Sequence, residues 1–261
     1  MTILDKIIAD KKEEVLLAKK ISPVDQLKDM SGFHRKTFSI RNSLLNADKP
    51  GIIAEHKRKS PSKGIINGNV QLENVVSGYQ QAGVKAVSVL TDHKYFMGTN
   101  EDVINARRIL TIPVLRKEFI IDEYQVIEAK AIGADFILLI AACLSKTQSE
   151  HLTGMAHELG LEVLIEIHTE DELNNVPVNV ELVGVNNRNL KTFEVNIKNS
   201  IELAKSIPEH FVKISESGIS NIEPIKKLWQ YGYKGFLIGE NFMKTDNPGQ
   251  SCVDFISSLN Q

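Results

Sequence analysis

Gly51-Ile52-Ile53-Ala54-Glu55-His56-Lys57-Arg58-Lys59-Ser60-Pro61-Ser62-Lys63-Gly64 is the stretch from which the rest of the chain is read. Ile52, Ile53 and Ala54 are apolar or small and follow a glycine, so the stretch opens as a buried strand. Strand side chains alternate between faces, which sends Glu55 and Lys57 to one side and His56 and Arg58 to the other. Ser-Pro-Ser-Lys-Gly then supplies turn chemistry. A strand tip with a carboxylate and an ammonium on one face, above a hydroxyl-bearing loop, suits the mouth of an active site. It equally suits a solvated strand end with a surface ion pair. Recurrence of the pattern decides between them.

Short apolar runs do recur, at 51–56, 85–90, 112–116, 135–141, 161–167, 180–186, 211–216 and 234–239. Amphipathic segments at 71–82, 100–109, 122–132, 146–158, 197–206 and 220–231 separate them, and 248–259 fits a last helix. Gly83, Gly133, Gly160 and Gly232 follow four of these helices, where a C-cap favours glycine. Thr169 with Glu172 predicts a capping box for a short helix over 169–175. Before the first strand, Ile3, Ile7, Ile8, Val15, Leu16 and Leu17 predict an amphipathic helix ended by Ser22-Pro23. Shorter helical pieces with Phe33 and Phe38 as packing residues are expected over 24–50. Alternating units of this kind predict an α/β fold, a (β/α)8 TIM barrel with an N-terminal helical extension. Residues 1–261 are then a single barrel domain, with 1–50 as the extension and 51–261 as the barrel. A doubly wound open sheet is the alternative, but it often carries a Gly-x-Gly-x-x-Gly fingerprint that this chain lacks.

The composition narrows the function. The 261 residues carry a net charge of -2, with 42% hydrophobic and 25% charged side chains, which argues against bulk nucleic-acid binding. No apolar run is long enough for a membrane span, and the N-terminus has no secretory apolar core. Cys143 and Cys252 are expected to be reduced, structural thiols of a cytoplasmic protein. Neither a zinc-spaced cluster nor a dinucleotide fingerprint is present, so no metal and no cofactor are expected.

Barrel enzymes work at the C-terminal ends of their strands. There stand Glu55 and Lys57, Thr91-Asp92 with Tyr95-Phe96, Arg116-Lys117-Glu118-Phe119, Glu166, Asn186 with Arg188, Glu216-Ser217-Gly218 and Gly239. Leu164 and Glu166 share a parity, as do Ile214 and Glu216, so both glutamates are expected to point inward. An inward charge is costly unless paired, and the lysines and glutamates could pair with one another, as a reactive cluster or as a purely structural network. Small residues after the seventh and eighth strands, Ser217-Gly218-Ile219-Ser220 and Gly239-Glu240, fit a phosphate cradle of backbone N–H groups. His56 is expected to pack outward, His168 is a weaker candidate for the site, His93 lies in a loop and Trp229 on a helix.

These segments resemble the indole-3-glycerol phosphate synthase family. Ile53–Ser62 looks like its signature, and Leu90–Gly98, Leu115–Phe119, Leu164–Glu166, Gly184–Leu190, Ser215–Ile219 and Leu237–Glu240 match in order. The resemblance spans nearly the whole chain. It implies closure of an indole ring on 1-(2-carboxyphenylamino)-1-deoxyribulose 5-phosphate, with loss of carbon dioxide and water. It implies Lys117 as general acid, Lys57 as partner of the substrate carboxylate and Glu166 as the proton-handling group of the dehydration. Glu55, Asn186 and Glu216 would position these groups. Ser60, Ser217, Gly218, Gly239 and Glu240 would hold the phosphate. Phe96, Phe119, Pro61 and Leu138 would wall the anthranilate ring, with Arg188 nearby. A free lysine titrates near about 10.4, so burial or a second cation should tune Lys117. Asn187 and Asn189 depart from the family's frequent Ser and Asp. A monomer acting on a small phosphorylated substrate is expected, with association to other tryptophan-pathway enzymes as an option. Two rivals stay open: a phosphoribosyl isomerase-like barrel with one acid and one base, and a non-catalytic ligand-binding barrel.

Overall fold

The computed structural model describes residues 2–189 and 192–260. Leu190, the last residue of one matched motif, lies outside the described residues. Eight parallel strands close into a barrel: β1 Gly51–His56, β2 Ala86–Leu90, β3 Val114–Lys117, β4 Phe136–Ile140, β5 Glu162–Ile167, β6 Leu182–Asn186, β7 Val212–Glu216 and β8 Tyr233–Ile238. Each strand pairs with its neighbours in chain order, and β8 closes on β1 with Ile53 opposite Leu237. The strands match the apolar runs to within a few residues. Both faces of such a sheet are covered, which is why the runs read as continuously apolar.

Alternation sorts each strand. Ile53, Leu115, Leu138, Leu164, Leu182, Ile214 and Leu237 fill the barrel interior. Ile52, Val87, Val114, Ile165, Val183 and Phe236 face the surrounding helices. Glu55, Lys117, Glu166, Asn186 and Glu216 share the inward parity at the strand tips. Gly83, Gly133, Gly160 and Gly232 all adopt positive φ after their helices, as capping requires.

Three helices precede β1: α1 Ile3–Ile21, α2 Val24–Asp29 and α3 Ile40–Leu45. Thr2 and Asp5 form a capping box at the start of α1. α3 plugs the lower end of the barrel, where Ile40 and Leu44 join the interior cluster. A Cβ on Gly51 would lie 2.3 Å from Leu44 Cδ2, so glycine makes room for the plug. Three expectations fail locally. Leu16 and Leu17 are exposed, because the stripe that packs is the one carrying Ile7, Lys11 and Val15. Phe38 is 42% exposed and lies beneath the guanidinium groups of Arg35 and Arg107 instead of in the core. Thr169 caps nothing: the short 3-10 turn is Asp171–Asn175, and Glu172 accepts a hydrogen bond from the His168 N–H at 2.7 Å.

α1 is fastened to the catalytic end by a buried cation. Lys11 Nζ lies 2.9 Å from Asp92, 3.0 Å from Glu118 and 2.8 Å from Glu14, and its side chain is 2% exposed. Burial opposes its charge, but Glu118 and Asp92 outweigh burial and hold the ammonium above its ordinary range. Removing one partner of a buried pair strands the others, typically at about 3–5 kcal/mol. Lys11→Met should therefore shift the urea unfolding midpoint down, or expose residues 3–21 to early proteolysis. Wild-type behaviour in both measurements would mean that the pair does not hold the helix.

Candidate active site

The inward tips meet around one cavity of about 660 Å³ at the C-terminal end of the barrel. The residues to which the resemblance gives roles line it: Glu55, Lys57, Ser60, Pro61, Phe96, Lys117, Phe119, Leu138, Glu166, Asn186, Arg188, Glu216, Ser217, Gly218, Gly239 and Glu240; Thr91, Asp92, Tyr95, Arg116 and His168 do not.

Its floor is an ion cluster. Lys117 Nζ donates to Glu216 Oε2 and stands 3.8 Å from Glu166 Oε2 and 3.9 Å from Glu55 Oε2. Lys57 Nζ donates to Glu55 Oε1 at 2.5 Å. The three carboxylates are buried, at 3% exposure for Glu55, 4% for Glu166 and 1% for Glu216. Burial alone would raise Glu55, but Lys57 and Lys117 outweigh it and hold that carboxyl below its ordinary value. Burial opposes the charge on Lys117 too, yet Glu216, Glu55 and Glu166 hold it well above the usual lysine range. The tuning foreseen for Lys117 thus runs upward, because carboxylates surround it. Glu216 carries the imbalance of three carboxylates against two ammoniums: burial, with Glu166 and Glu55 adding to it, pushes its carboxyl up to about 7 despite Lys117.

Geometry around Glu216 is tight. A Cβ on Gly184 would lie 2.3 Å from Glu216 Oε1, so β6 leaves space at that point. Asn187 Nδ2 donates to Ser215 Oγ at 2.9 Å, Glu216 O at 3.0 Å and Ser217 O at 3.1 Å, fixing the turn after β7. Neither residue stood out in the sequence: Gly184 reads as one more small strand residue, and Asn187 as a harmless replacement.

The far side of the cavity is the proposed phosphate side. Ser217 and Gly218 are consecutive left-handed residues, with φ of 67° and 77°. A Cβ on Gly218 would meet Val195 Cγ1 at 2.3 Å. Gly239 precedes the short helix Glu240–Met243. The Glu240 carboxylate turns to cations, 3.6 Å from Arg188 and 3.8 Å from Lys63. Lys63 was not singled out, although it lies in the opening stretch. Lys59–Ser60 and Gly64–Ile65 form a small antiparallel ribbon that sets that loop over the mouth. The apolar wall holds Phe96 and Phe119 with ring centroids 6.1 Å apart, and Ile3, Leu4 and Ile7 of α1 extend it.

Other tip residues serve the frame. Arg116 points outward to Glu128, Asn100 and the Gln125 carbonyl. Arg58 grips Asp102 with two bonds at 2.7 and 2.8 Å. His56 is buried outside the barrel, as parity foresaw, and burial pushes its imidazole down to about 4. Cys143 and Cys252 are both free thiols.

The family model for indole-3-glycerol phosphate synthase matches residues 4–255. An indole-3-glycerol phosphate synthase of Bacteroides thetaiotaomicron is 46% identical over 257 residues, covering 98% of both chains. That of Caldanaerobacter subterraneus subsp. tengcongensis is 43% identical over 245 residues, covering 94% of both. Among solved structures, KGPDC from Streptococcus mutans superposes with a TM-score of 0.62 at 12% identity, over 82% of this chain and 98% of that one, a likeness of fold alone.

The Glu216 carboxyl gives a pH test. Its value is raised from 4.5 to about 7 in the folded chain, so the native state keeps a proton that the unfolded chain releases. Its contribution to stability is full below about pH 4.5 and is lost as pH rises through about 7. Glu216→Gln cannot titrate, so its stability relative to wild type should rise between about pH 5 and pH 8 in urea titrations. A relative stability of the variant that stays constant or falls over that window would mean that Glu216 is ionised throughout.

Proposed function

The chain belongs to the indole-3-glycerol phosphate synthase family, and from that premise we propose how its side chains divide the reaction. It is a carboxy-lyase of tryptophan biosynthesis. It converts 1-(2-carboxyphenylamino)-1-deoxyribulose 5-phosphate to indole-3-glycerol phosphate, carbon dioxide and water. No helix among the described residues is long and apolar enough to cross a membrane.

Lys117 is the general acid. The observation that carries this is its position: an ammonium on the barrel floor, held charged by Glu216, Glu55 and Glu166. As the ring carbon attacks the ribulose carbonyl, the new carbon–carbon bond pushes electrons onto oxygen, and Lys117 gives that oxygen its proton. A strongly held proton is no obstacle here, because a developing alkoxide is the stronger base. Lys57 faces the substrate carboxylate, so that electrons return to the ring as carbon dioxide departs. Glu166 then takes the proton released on dehydration and returns it to the leaving hydroxyl. Glu55 and Glu216 fix the two lysines, and Asn186 bonds a substrate hydroxyl. Ser60, Ser217, Gly218, Gly239 and the Glu240 N–H receive the phosphate, while Phe96, Phe119, Pro61 and Leu138 enclose the anthranilate ring. Arg188, drawn to Glu240, sits at the join of the ring and phosphate sides.

We take residues 1–261 as one barrel unit acting as a monomer, with α1 as part of the site, since Ile3, Leu4 and Ile7 line the cavity. Two unpaired thiols suit the cytoplasm. Every donor and counter-charge in this scheme is a side chain or a backbone N–H of the protein, so activity should survive exhaustive chelation. Loss under EDTA that a divalent ion restores would refute that point.

Lys117→Met keeps the apolar stem and removes donor and charge. kcat should fall by at least about 10²-fold, the usual scale for a positioned acid, with analogue binding weakened less. Lys117→Arg should not rescue, since a guanidinium is a far poorer acid. Steady-state product formation beside equilibrium binding of a substrate analogue checks this. A near-normal kcat in the Met variant would hand the acid role to Lys57.

A further inference from the structure

His168 follows the end of β5, two residues past Glu166 and on its side of the strand. Its backbone is pinned at both ends. The N–H donates to Glu172 Oε2 at 2.7 Å. The carbonyl accepts from Asn199 Nδ2 at 3.1 Å, which also bonds the Asn186 carbonyl at 3.0 Å. The ring is therefore delivered to one place, with its side chain 11% exposed. There, Nε2 stands 3.4 Å from Glu166 Oε1 and Nδ1 stands 3.6 Å from Glu172 Oε2. Neither nitrogen has a hydrogen-bond partner among the described residues, although both are buried.

With both carboxylates ionised, the inventory of donors selects one state of the ring. An ionised carboxylate only accepts, and a neutral imidazole offers one N–H and one lone pair. Whichever tautomer is drawn, a neutral ring turns a lone pair toward one of the two carboxylates. Only the imidazolium, with a proton on each nitrogen, suits both. Glu166 is divided in the same way: Oε1 faces His168, and Oε2 faces Lys117 at 3.8 Å.

We propose that His168 is a positioning residue for the ring-closing reaction: as an imidazolium braced by Glu172, it holds the Oε1 edge of Glu166 and so presents Oε2 to Lys117 and the substrate. This rests on the reading of Glu166 as the proton-handling carboxylate. The groups that face the ring agree with it. Burial lowers the imidazole's affinity for a proton, but Glu172, Glu166 and, across the barrel, Glu216 outweigh burial and hold it above its ordinary value. Cys143, also near Glu166 and Glu172, stays a neutral thiol because burial and those carboxylates push it up to about 12. The cation therefore persists to higher pH than on a free imidazole and is lost as pH rises through the elevated value. Glu166 then loses its hold, so kcat falls on the alkaline side while KM, set by phosphate and ring contacts, changes little.

The test is a nitrogen-15 NMR titration of the histidine rings in the intact enzyme, beside pH profiles of kcat and KM. There are 7 histidines, and the His168→Gln spectrum identifies the signal of interest by its loss. The His168 midpoint should lie above about 6.5, with both ring nitrogens protonated below it. Glu172→Gln should lower that midpoint and move the alkaline limb of kcat to lower pH by the same amount. His168→Gln should reduce kcat about tenfold, less than loss of a general acid or base, abolish that limb and leave KM within about twofold. A midpoint at or below about 6.5, or one that ignores Glu172→Gln, overturns the proposal, as does a kcat limb that survives in His168→Gln. A fully active Glu166→Gln enzyme would instead remove the reading beneath it. That outcome is separable, because a failure confined to His168 leaves Glu166→Gln impaired.

Discussion

Everything at the catalytic end depends on Lys117 being surrounded by carboxylates from three different strands. Burying one ammonium or one carboxylate alone would cost several kcal/mol. Glu55, Glu166 and Glu216 are tolerable inside the barrel because Lys117 and Lys57 stand among them. Lys117 stays protonated for the same reason. The arrangement brings β1, β3, β5 and β7 to a common centre, so a shift at any one tip disturbs the charge balance of the rest. Gly184 shows how close the tolerance is, since even a methyl group on β6 would meet the Glu216 carboxylate.

A second ion cluster, on the same rim, has the opposite job. Lys11 joins Asp92 and Glu118, and Glu118 in turn accepts from Thr91 Oγ1 at 2.7 Å. It sets an N-terminal helix against the cavity without taking part in the chemistry. Two buried clusters with similar residues thus serve different ends. The difference is position: one forms the floor of the cavity, and the other lies at its edge beneath α1, with Glu118 alone reaching the cavity wall.

The barrel and the cluster of charges at its strand tips were legible in the sequence because both follow from period and position. Apolar runs gave the strands, and parity placed Glu55, Glu166 and Glu216 inward. The misreadings share a physical cause. Lys11 carries no mark in the sequence, because its partners Asp92 and Glu118 are far away along the chain. Glu172 looked like a capping partner of Thr169, because local spacing cannot show that the His168 N–H competes for it. The direction in which Lys117 is tuned depends on counting the charges around it in space. His168 was underrated because a histidine two residues past a glutamate acquires meaning only when a second carboxylate is seen on its other side.

The plug at the bottom of the barrel sets the traffic of the reaction. Ile40 and Leu44 of α3, with the interior layers of Ile53, Leu115, Leu164 and Ile214, leave no passage through the axis. In the proposed reaction the upper mouth is therefore the route in for substrate and the route out for carbon dioxide, water and the indole product. A bulky product therefore stands between the reaction floor and solvent until it departs. Turnover is a queue with a single door, whose frame is the loop carrying Ser60 and Lys63 on one side and the first turn of α1 on the other.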